Sequence, residues 1–243
     1  MNRILFEREE ILDGVATFGG VRAEHVLKVL HGEVGQILKT GEVDGPIGTG
    51  EITAIDGDGR ITVRLNHNGV ALAPCVDLIL APPRPRVMKR LLPQLAALGV
   101  GRIVLVGAKK VEKDFWGATL LKEEIYRPLL VDGLMQAGTT ALPQLTTVRN
   151  FRKWLREDLD REFTSTRRTV AHPYGAGEEP KDCGASPESP DRLLLAVGPE
   201  GGWTDDEVAL LEEKGFVRYS LGPRILRTDT AVVALIARLC LYG

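Results

Sequence analysis

Leu193-Leu-Leu-Ala-Val-Gly-Pro-Glu-Gly-Gly-Trp-Thr-Asp-Asp-Glu207 packs a strand, a turn and a helix start into one short stretch. Leu193 to Val197 is an unbroken apolar run of strand length. It lacks the alternation of a half-exposed strand, so it predicts a strand buried on both faces. Gly198 ends that strand, and Pro199-Glu200-Gly201-Gly202 predicts a tight turn. Thr204 with Glu207 three residues later is the capping-box signature of a helix start. In an open α/β sheet, ligands bind beyond the carboxyl ends of the strands. Glycines there let a ligand approach the main chain, and the helix start offers free N–H groups. The carboxylates of Glu200, Asp205 and Asp206 argue against a phosphate, which calls for glycines with Lys or Ser/Thr. They suit a sulfonium or a ribose better. Taken alone, such a glycine turn is more often structural than ligand-binding.

Working outward, the same strand–helix rhythm covers everything from about residue 75. Strands are expected at Val76–Leu80, Arg102–Val106, Leu145–Val148, Arg168–Ala171 and 216–221. Helices are expected at Val87–Leu98 (closed by Gly99), Leu120–Ala137 (closed by Gly138), Phe151–Leu159, 205–214 and from Asp229 onward. Pro93 should kink its helix or mark a late start. Residues 173–191, rich in proline and without periodicity, predict a long surface loop. Apolar strands separated by helices make this part α/β, with a parallel sheet covered on both faces. The first 70 or so residues differ. They are dense in glycine and hold Glu51–Ile55 and Arg60–Leu65 around Asp56-Gly-Asp-Gly59, a hairpin signal. With one helix at Ala23–Leu30, they predict a small, mostly β module, a compact barrel. The boundary falls at 70–75, giving expected domains 1–72 and 73–243.

A second stretch bears on the first: Tyr219-Ser-Leu-Gly-Pro-Arg-Ile-Leu-Arg-Thr-Asp-Thr-Ala231. A strand ends at Leu221, Gly222-Pro223 turns the chain, and Arg224 and Arg227 precede an apolar helix that Thr228 could cap. Two guanidiniums at the carboxyl edge of a sheet call for an anionic or polar partner. Either a ligand or an internal ion pair from Arg227 to Asp229 or Glu200 would serve.

Composition sets the outer limits. Thirty-one basic and thirty-three acidic residues leave a net charge of −2, so nucleic-acid binding would rest on local patches. Charged residues at 26% and hydrophobic ones at 44% exclude a wholly disordered chain. Three dispersed cysteines, Cys75, Cys183 and Cys240, fit neither a disulfide framework nor a zinc site and favour a reducing compartment. No metal is expected. The N-terminal MNRILFEREEILDG lacks the apolar segment of a signal peptide. No run of about 18 apolar residues suggests a membrane span. A cytoplasmic location is expected.

LLLAVGPEGG paired with LGPRILRTDTA resembles the trefoil-knotted (SPOUT) methyltransferases. Within them the chain is similar to the family that methylates uracil N3 in small-subunit ribosomal RNA. His25–Leu30, Leu98–Ile103 and the strand ending in His172-Pro173 extend the resemblance. It implies a PUA-like β-barrel at the N-terminus and a SPOUT α/β trefoil-knot domain after it. It implies S-adenosylmethionine held by Gly198, Pro199, Glu200, Gly201 and Gly202 on one side. Leu221, Gly222, Ile225, Leu226, Arg227 and Thr228 would line the other. Arg227 is the first candidate to stabilise charge on the base, Arg224 the second, and Glu200 a candidate proton acceptor. Lys28, Arg84, Arg86, Lys89, Arg90 and Arg152 are the RNA-facing candidates, the last within a basic group with Arg149, Lys153 and Arg156. Lys109, Lys110 and Lys113 form a further basic group. A homodimer through the apolar final helix and a small-subunit RNA or 30S partner follow from the resemblance. The chain departs from the family pattern at Lys28, His31, Ala97, Met135, Thr140 and Asp229. A methyltransferase for a different RNA, or a non-catalytic RNA-binding protein, are the alternatives.

Overall fold

The computed structural model describes residues 2–165, 167–172 and 192–241. The expected loop at 173–191, with Cys183, lies outside them. The chain divides into two compact units, one of Met1–Ala73 with Leu130–Leu142, the other of Pro74–Leu129 with Pro143–Gly243.

The first unit holds β1 (Ile4–Phe6), β2 (Ile11–Leu12), β3 (Val15–Phe18), α1 (Gly20–Lys28), β4 (Ile37–Glu42), β5 (Ile47–Ile55) and β6 (Ile61–Gly69). The strands form one sheet in the order β1-β4-β5-β6-β3-β2, with β1 and β2 at its two edges. The Asp-Gly-Asp-Gly hairpin forms between β5 and β6. There Asp56 Oδ1 accepts the N–H groups of Asp58 (3.0 Å) and Arg60 (2.8 Å), and Gly59 takes φ +74°. That carboxylate adds to the main-chain bonds that close the turn, from Gly59 N–H to Asp56 O (3.1 Å) and from Asp56 N–H to Arg60 O (3.0 Å). Along β6, Ile61 and Val63 are buried while Arg64 is exposed, the pattern expected of a half-buried strand. They join Phe6, Phe18, Val26 and Ile52 in the core. Phe6 and Phe18 meet edge-on at 5.4 Å, and burying each ring contributes about 1.5–3 kcal/mol. The helix begins at Gly20, three residues before the apolar spacing marks it, because Val21 and Arg22 in its first turn are not core residues.

The second unit contains β7 (Val76–Leu80), α2 (Pro85–Ala97), β8 (Val100–Val106), the first half of α3 (Glu123–Ala137), β9 (Gln144–Val148), α4 (Phe151–Glu157) and α5 (Leu159–Glu162). It continues with β10 (Arg168–Ala171), β11 (Leu193–Val197), α6 (Asp205–Glu213), β12 (Val217–Tyr219) and α7 (Thr228–Ile236). Six strands pair in the order β12-β10-β11-β7-β8-β9, every neighbour parallel. The two central strands, β7 and β11, are buried at every residue; β11 is an unbroken apolar run and β7 is apolar but for Asp77. Pro85 at the first helical position starts α2, which runs on through Pro93 instead of beginning after it. Gly99 at φ +78° and Gly138 at φ +77° follow the ends of α2 and α3. One face of the sheet packs Val104, Val106, Leu194 and Ala196 against Phe151, Trp154, Leu155, Val208 and Leu211. α7 ends in a π-helical turn, Ala237–Leu241.

Towards the amino end of this sheet, the buried Asp77 carboxylate is bracketed by Arg102 (3.0 Å) and Arg192 (3.4 Å). Arg102 also lies 3.8 Å over the Phe163 ring. The paired charge suits a buried carboxylate, which would otherwise stay costly to desolvate. Nearby, Cys75 and Cys240 come together as free thiols, and the hydrogen bond to Cys240 holds Cys75 down at about 7.

Candidate active site

Three neighbouring strands, β11, β10 and β12, end on one rim of the parallel sheet, and a cleft of about 200 Å³ opens beyond them. Its walls begin with the residues that finish those strands: Val197 and Gly198, Ala171 and His172, Tyr219 and Ser220. The turn after β11 supplies one side. Gly202 N–H donates to Pro199 O at 2.8 Å and Gly202 takes φ +70°, a conformation that favours glycine. A side chain at Gly198 would crowd Trp203, whose main-chain nitrogen lies 3.1 Å from where a Cβ would sit. Trp203 in turn stacks on Phe151 at 5.2 Å.

A buried carboxylate fixes this turn from below. Glu207 is 2% exposed and completes the capping box of α6. One of its oxygens accepts Thr204 N–H (2.8 Å) and the Thr204 hydroxyl (3.0 Å), the other Lys109 N–H (2.8 Å). The capping motif marks Glu207 in the sequence. Its bond to Lys109, in the loop after β8, carries no sequence signal. Lys110 Nζ donates to Gly201 O at 2.7 Å. A lysine expected among the basic surface groups therefore holds the glycine turn.

The second motif supplies the opposite side. Ser220 Oγ accepts Gly222 N–H at 3.2 Å, and Gly222 takes φ +105° with open space where a Cβ would stand. Leu221, Ile225 and Leu226 are 37%, 74% and 37% exposed. Three large apolar side chains left uncovered beside one cleft are the signature of a surface made for a ligand. With glycines that admit close approach to the main chain, the cleft suits a molecule with a flat apolar part and a polar edge.

The sequence candidates fall into place unequally. Gly198, Pro199, Glu200, Gly201, Gly202, Leu221, Gly222, Ile225, Leu226 and Thr228 all line the cleft, as does Arg224. Arg227 is not among the lining residues; its guanidinium lies 3.9 Å from Asp229 on the surface. The expected cap on α7 is displaced by one residue. Arg227 occupies the cap position in extended backbone with no side-chain hydrogen bond, and Thr228, 4% exposed, is already helical. His172 lines the cleft, and its pKa is lowered by burial and then by the nearby Arg218.

Of the RNA-facing candidates, Arg84, Arg86, Lys89 and Arg90 are exposed around the start of α2. Arg84 meets Glu112 at 3.0 Å and Arg90 meets Asp229 at 3.8 Å. Arg152 pairs with Asp206 at 3.0 Å, and in the first unit Lys28 pairs with Glu24 at 3.3 Å. Such exposed pairs contribute little to stability and are open to exchange for a phosphate. Among the described residues, no three His, Cys, Asp or Glu converge as a metal site, and no helix is long and apolar enough to cross a membrane.

Gly222→Val is expected to fill the open space with a branched side chain in a backbone region that disfavours it. Calorimetric titration of the cleft's ligand should then show affinity at least about tenfold weaker, which is 1.4 kcal/mol. Unchanged affinity would place the ligand elsewhere.

The model of the RNA methyltransferase domain family matches residues 72–240. Ribosomal RNA small subunit methyltransferase E of Treponema pallidum is 32% identical over 241 residues, covering 98% of this chain and 90% of that protein. Among solved structures, a methyltransferase of Legionella pneumophila in complex with bound SAM superposes with a TM-score of 0.74 at 24% identity, over 98% of this chain and 96% of that one. Ribosomal RNA small subunit methyltransferase E of Neisseria gonorrhoeae, bound to S-adenosylmethionine, gives a TM-score of 0.73 at 22% identity, with the same coverage.

Proposed function

We infer the reaction from one premise: the chain belongs to the RNA methyltransferase family, alongside the ribosomal RNA small subunit methyltransferases E. It is on that footing an S-adenosylmethionine-dependent methyltransferase of ribosomal RNA, and the acceptor we propose is uracil N3 of a uridine in the small-subunit (16S) RNA. Residues 1–72, with Leu130–Leu142 in the same unit, serve as a PUA-like RNA-binding module whose sheet keeps two edges, and the rest of 73–243 as a knotted SPOUT methyltransferase domain. The protein works as a cytoplasmic homodimer joined through the C-terminal domain. The observation that carries the reading is the cleft with its uncovered Leu221, Ile225 and Leu226 beside main-chain glycines.

The residues present fit this donor. Apolar side chains of the second motif would cover an adenine ring, and main-chain groups of both loops would read its polar edge. When bound, S-adenosylmethionine supplies a methyl group on a positively charged sulfur. The chain's own part is to accept that cation and to make N3 nucleophilic. Burial holds His172 below the usual imidazole range, so at neutral pH it adds no positive charge to a site that must take a cation. Glu200 and the acidic first turn of α6 bring negative charge to the same loop. Uracil N3 carries a proton and is a poor nucleophile until that proton leaves. Glu200 is the proposed acceptor. Arg224 in the cleft and Arg227 at the head of α7 then stabilise the charge that moves onto the base oxygens. Holding the two reactants in line supplies about 7–11 kcal/mol in favourable cases.

The test is chemical. Nucleoside mass mapping of ribosomal RNA from a strain lacking the gene should show 3-methyluridine lost from the small subunit and regained on complementation. An unchanged profile would reject the proposed acceptor, and another methylated nucleoside lost in its place would identify the true one.

A further inference from the structure

Beside the cleft lies a smaller slot that shares only Pro199 and Glu200 with it. Its volume is about 40 Å³, room for roughly three water molecules. Pro82 and Pro83, which follow β7, and Phe115, 2% exposed, give it flat, apolar walls. Its polar residues are of both signs: Arg84, Lys110, Glu112 and Glu200. Arg84 lies against Glu112 at 3.0 Å, and Glu200 is near enough to act on the same guanidinium. Lys110 is anchored at Gly201, beside Glu200 in the turn.

The geometry points to this slot as the seat of the Watson–Crick edge of the target pyrimidine, with Arg84 and Lys110 facing its two carbonyls and Glu200 facing N3–H. This rests on the methyl transfer to uracil proposed above. The edge of uracil presents acceptor, donor, acceptor. With Glu112 holding Arg84 in place at 3.0 Å, the slot offers two cations and the Glu200 carboxylate, and three edge atoms would replace about three waters. The apolar walls suit the flat face of a base, as stacking platforms do in single-stranded RNA recognition. Because Glu200 belongs to both cavities, N3 is brought to the wall they share. The same arrangement rejects cytosine. Its amino group would set a donor against a cation, and its unprotonated N3 would set a lone pair against a carboxylate.

Two measurements on the full-length protein with 30S subunits test the slot. In single-turnover methylation at saturating subunit, Arg84→Ala should slow the transfer at least about 30-fold, and Arg84→Lys should recover part of the loss. Calorimetry should find S-adenosylmethionine affinity within about twofold of wild type in both variants, since Arg84 does not line the cofactor cleft. If Arg84 served only as a phosphate contact, the subunit concentration for half-saturation would rise and the saturating rate would hold; that result overturns the proposal. Separately, 4-thiouridine-substituted ribosomal RNA irradiated with the protein should crosslink to peptides carrying 82–84, 110–115 or 199–200. Crosslinks confined to other surfaces overturn it as well. A wild-type protein that methylates no uridine would reject the underlying reaction and the slot with it. A fully active wild type beside an equally active Arg84→Ala variant would reject the slot alone.

Discussion

Alanine at Arg227 or at Arg224 is expected to leave a folded protein that transfers methyl groups at least about 100-fold more slowly. Both side chains are exposed, and the ion pair from Arg227 to Asp229 is 3.9 Å long. An exposed pair of that length contributes little to stability, so the melting temperature should move by no more than about 2 °C. The loss belongs to the reaction, because a guanidinium helps most where charge appears on the base oxygens and least in the resting protein. Radiolabelled methyl incorporation into 30S subunits, beside thermal melting, reads both quantities. The structure adds a distinction that spacing alone does not make. Arg224 lines the cleft and Arg227 stands outside it, turned to Asp229. If both act, Arg227 must leave Asp229 when the substrate arrives, and Asp229→Asn should lower the substrate concentration needed for half-maximal rate. Wild-type rates in Arg227→Ala would remove that residue from the mechanism.

Glu207→Ala carries the largest expected cost to stability. The carboxylate is 2% exposed and takes two main-chain N–H groups and one hydroxyl. Alanine leaves the N–H groups of Lys109 and Thr204 without these partners at a part-buried site, each a penalty of about 1–3 kcal/mol. A total near 3 kcal/mol lowers the melting temperature by about 6–12 °C for a chain of this size. The same change frees the start of α6 from the loop after β8, so the turn at 199–202 loses its support and S-adenosylmethionine affinity should fall in parallel. Differential scanning fluorimetry and calorimetry test the two effects. A variant that melts like wild type would show that water or a neighbouring group satisfies those donors.

Much of the parallel sheet was legible because its strands carry strong local signals. Leu193–Val197 is a continuous apolar run and Val76–Leu80 is apolar but for Asp77, and the structure places them side by side at its centre with the expected bounds. Glycines at 99 and 138 stop their helices at the expected places because only a residue tolerant of positive φ fits there. Less legible were features decided by distant partners. The last strand is only Val217–Tyr219, since Ser220 and Leu221 leave the sheet to shape the cleft. Pro93 does not delay the start of α2, because burial of Met88, Leu91, Leu92 and Leu95 outweighs one missing hydrogen bond. The cap at Thr228 fails for a similar reason: its side chain is buried at the cleft instead of turning back on the helix start. Among site residues, the two glycine motifs were visible as motifs. The roles of Lys110, Glu207 and Trp203 depend on contacts to Gly201, Lys109 and Phe151, which no window of sequence contains.

The strand order has a consequence for how the protein is made. β7, β8 and β9 can pair as they emerge from the ribosome, but the other side of β7 waits for β11, some 113 residues further on. At about 5–20 residues per second that is roughly 6–23 s during which a largely apolar strand keeps one bare flank on the nascent polypeptide. The cleft comes later still, since its far wall is built from the last strand and final helix. A prematurely terminated product would carry the sticky flank without the pocket, which makes such fragments candidates for chaperone capture and rapid degradation.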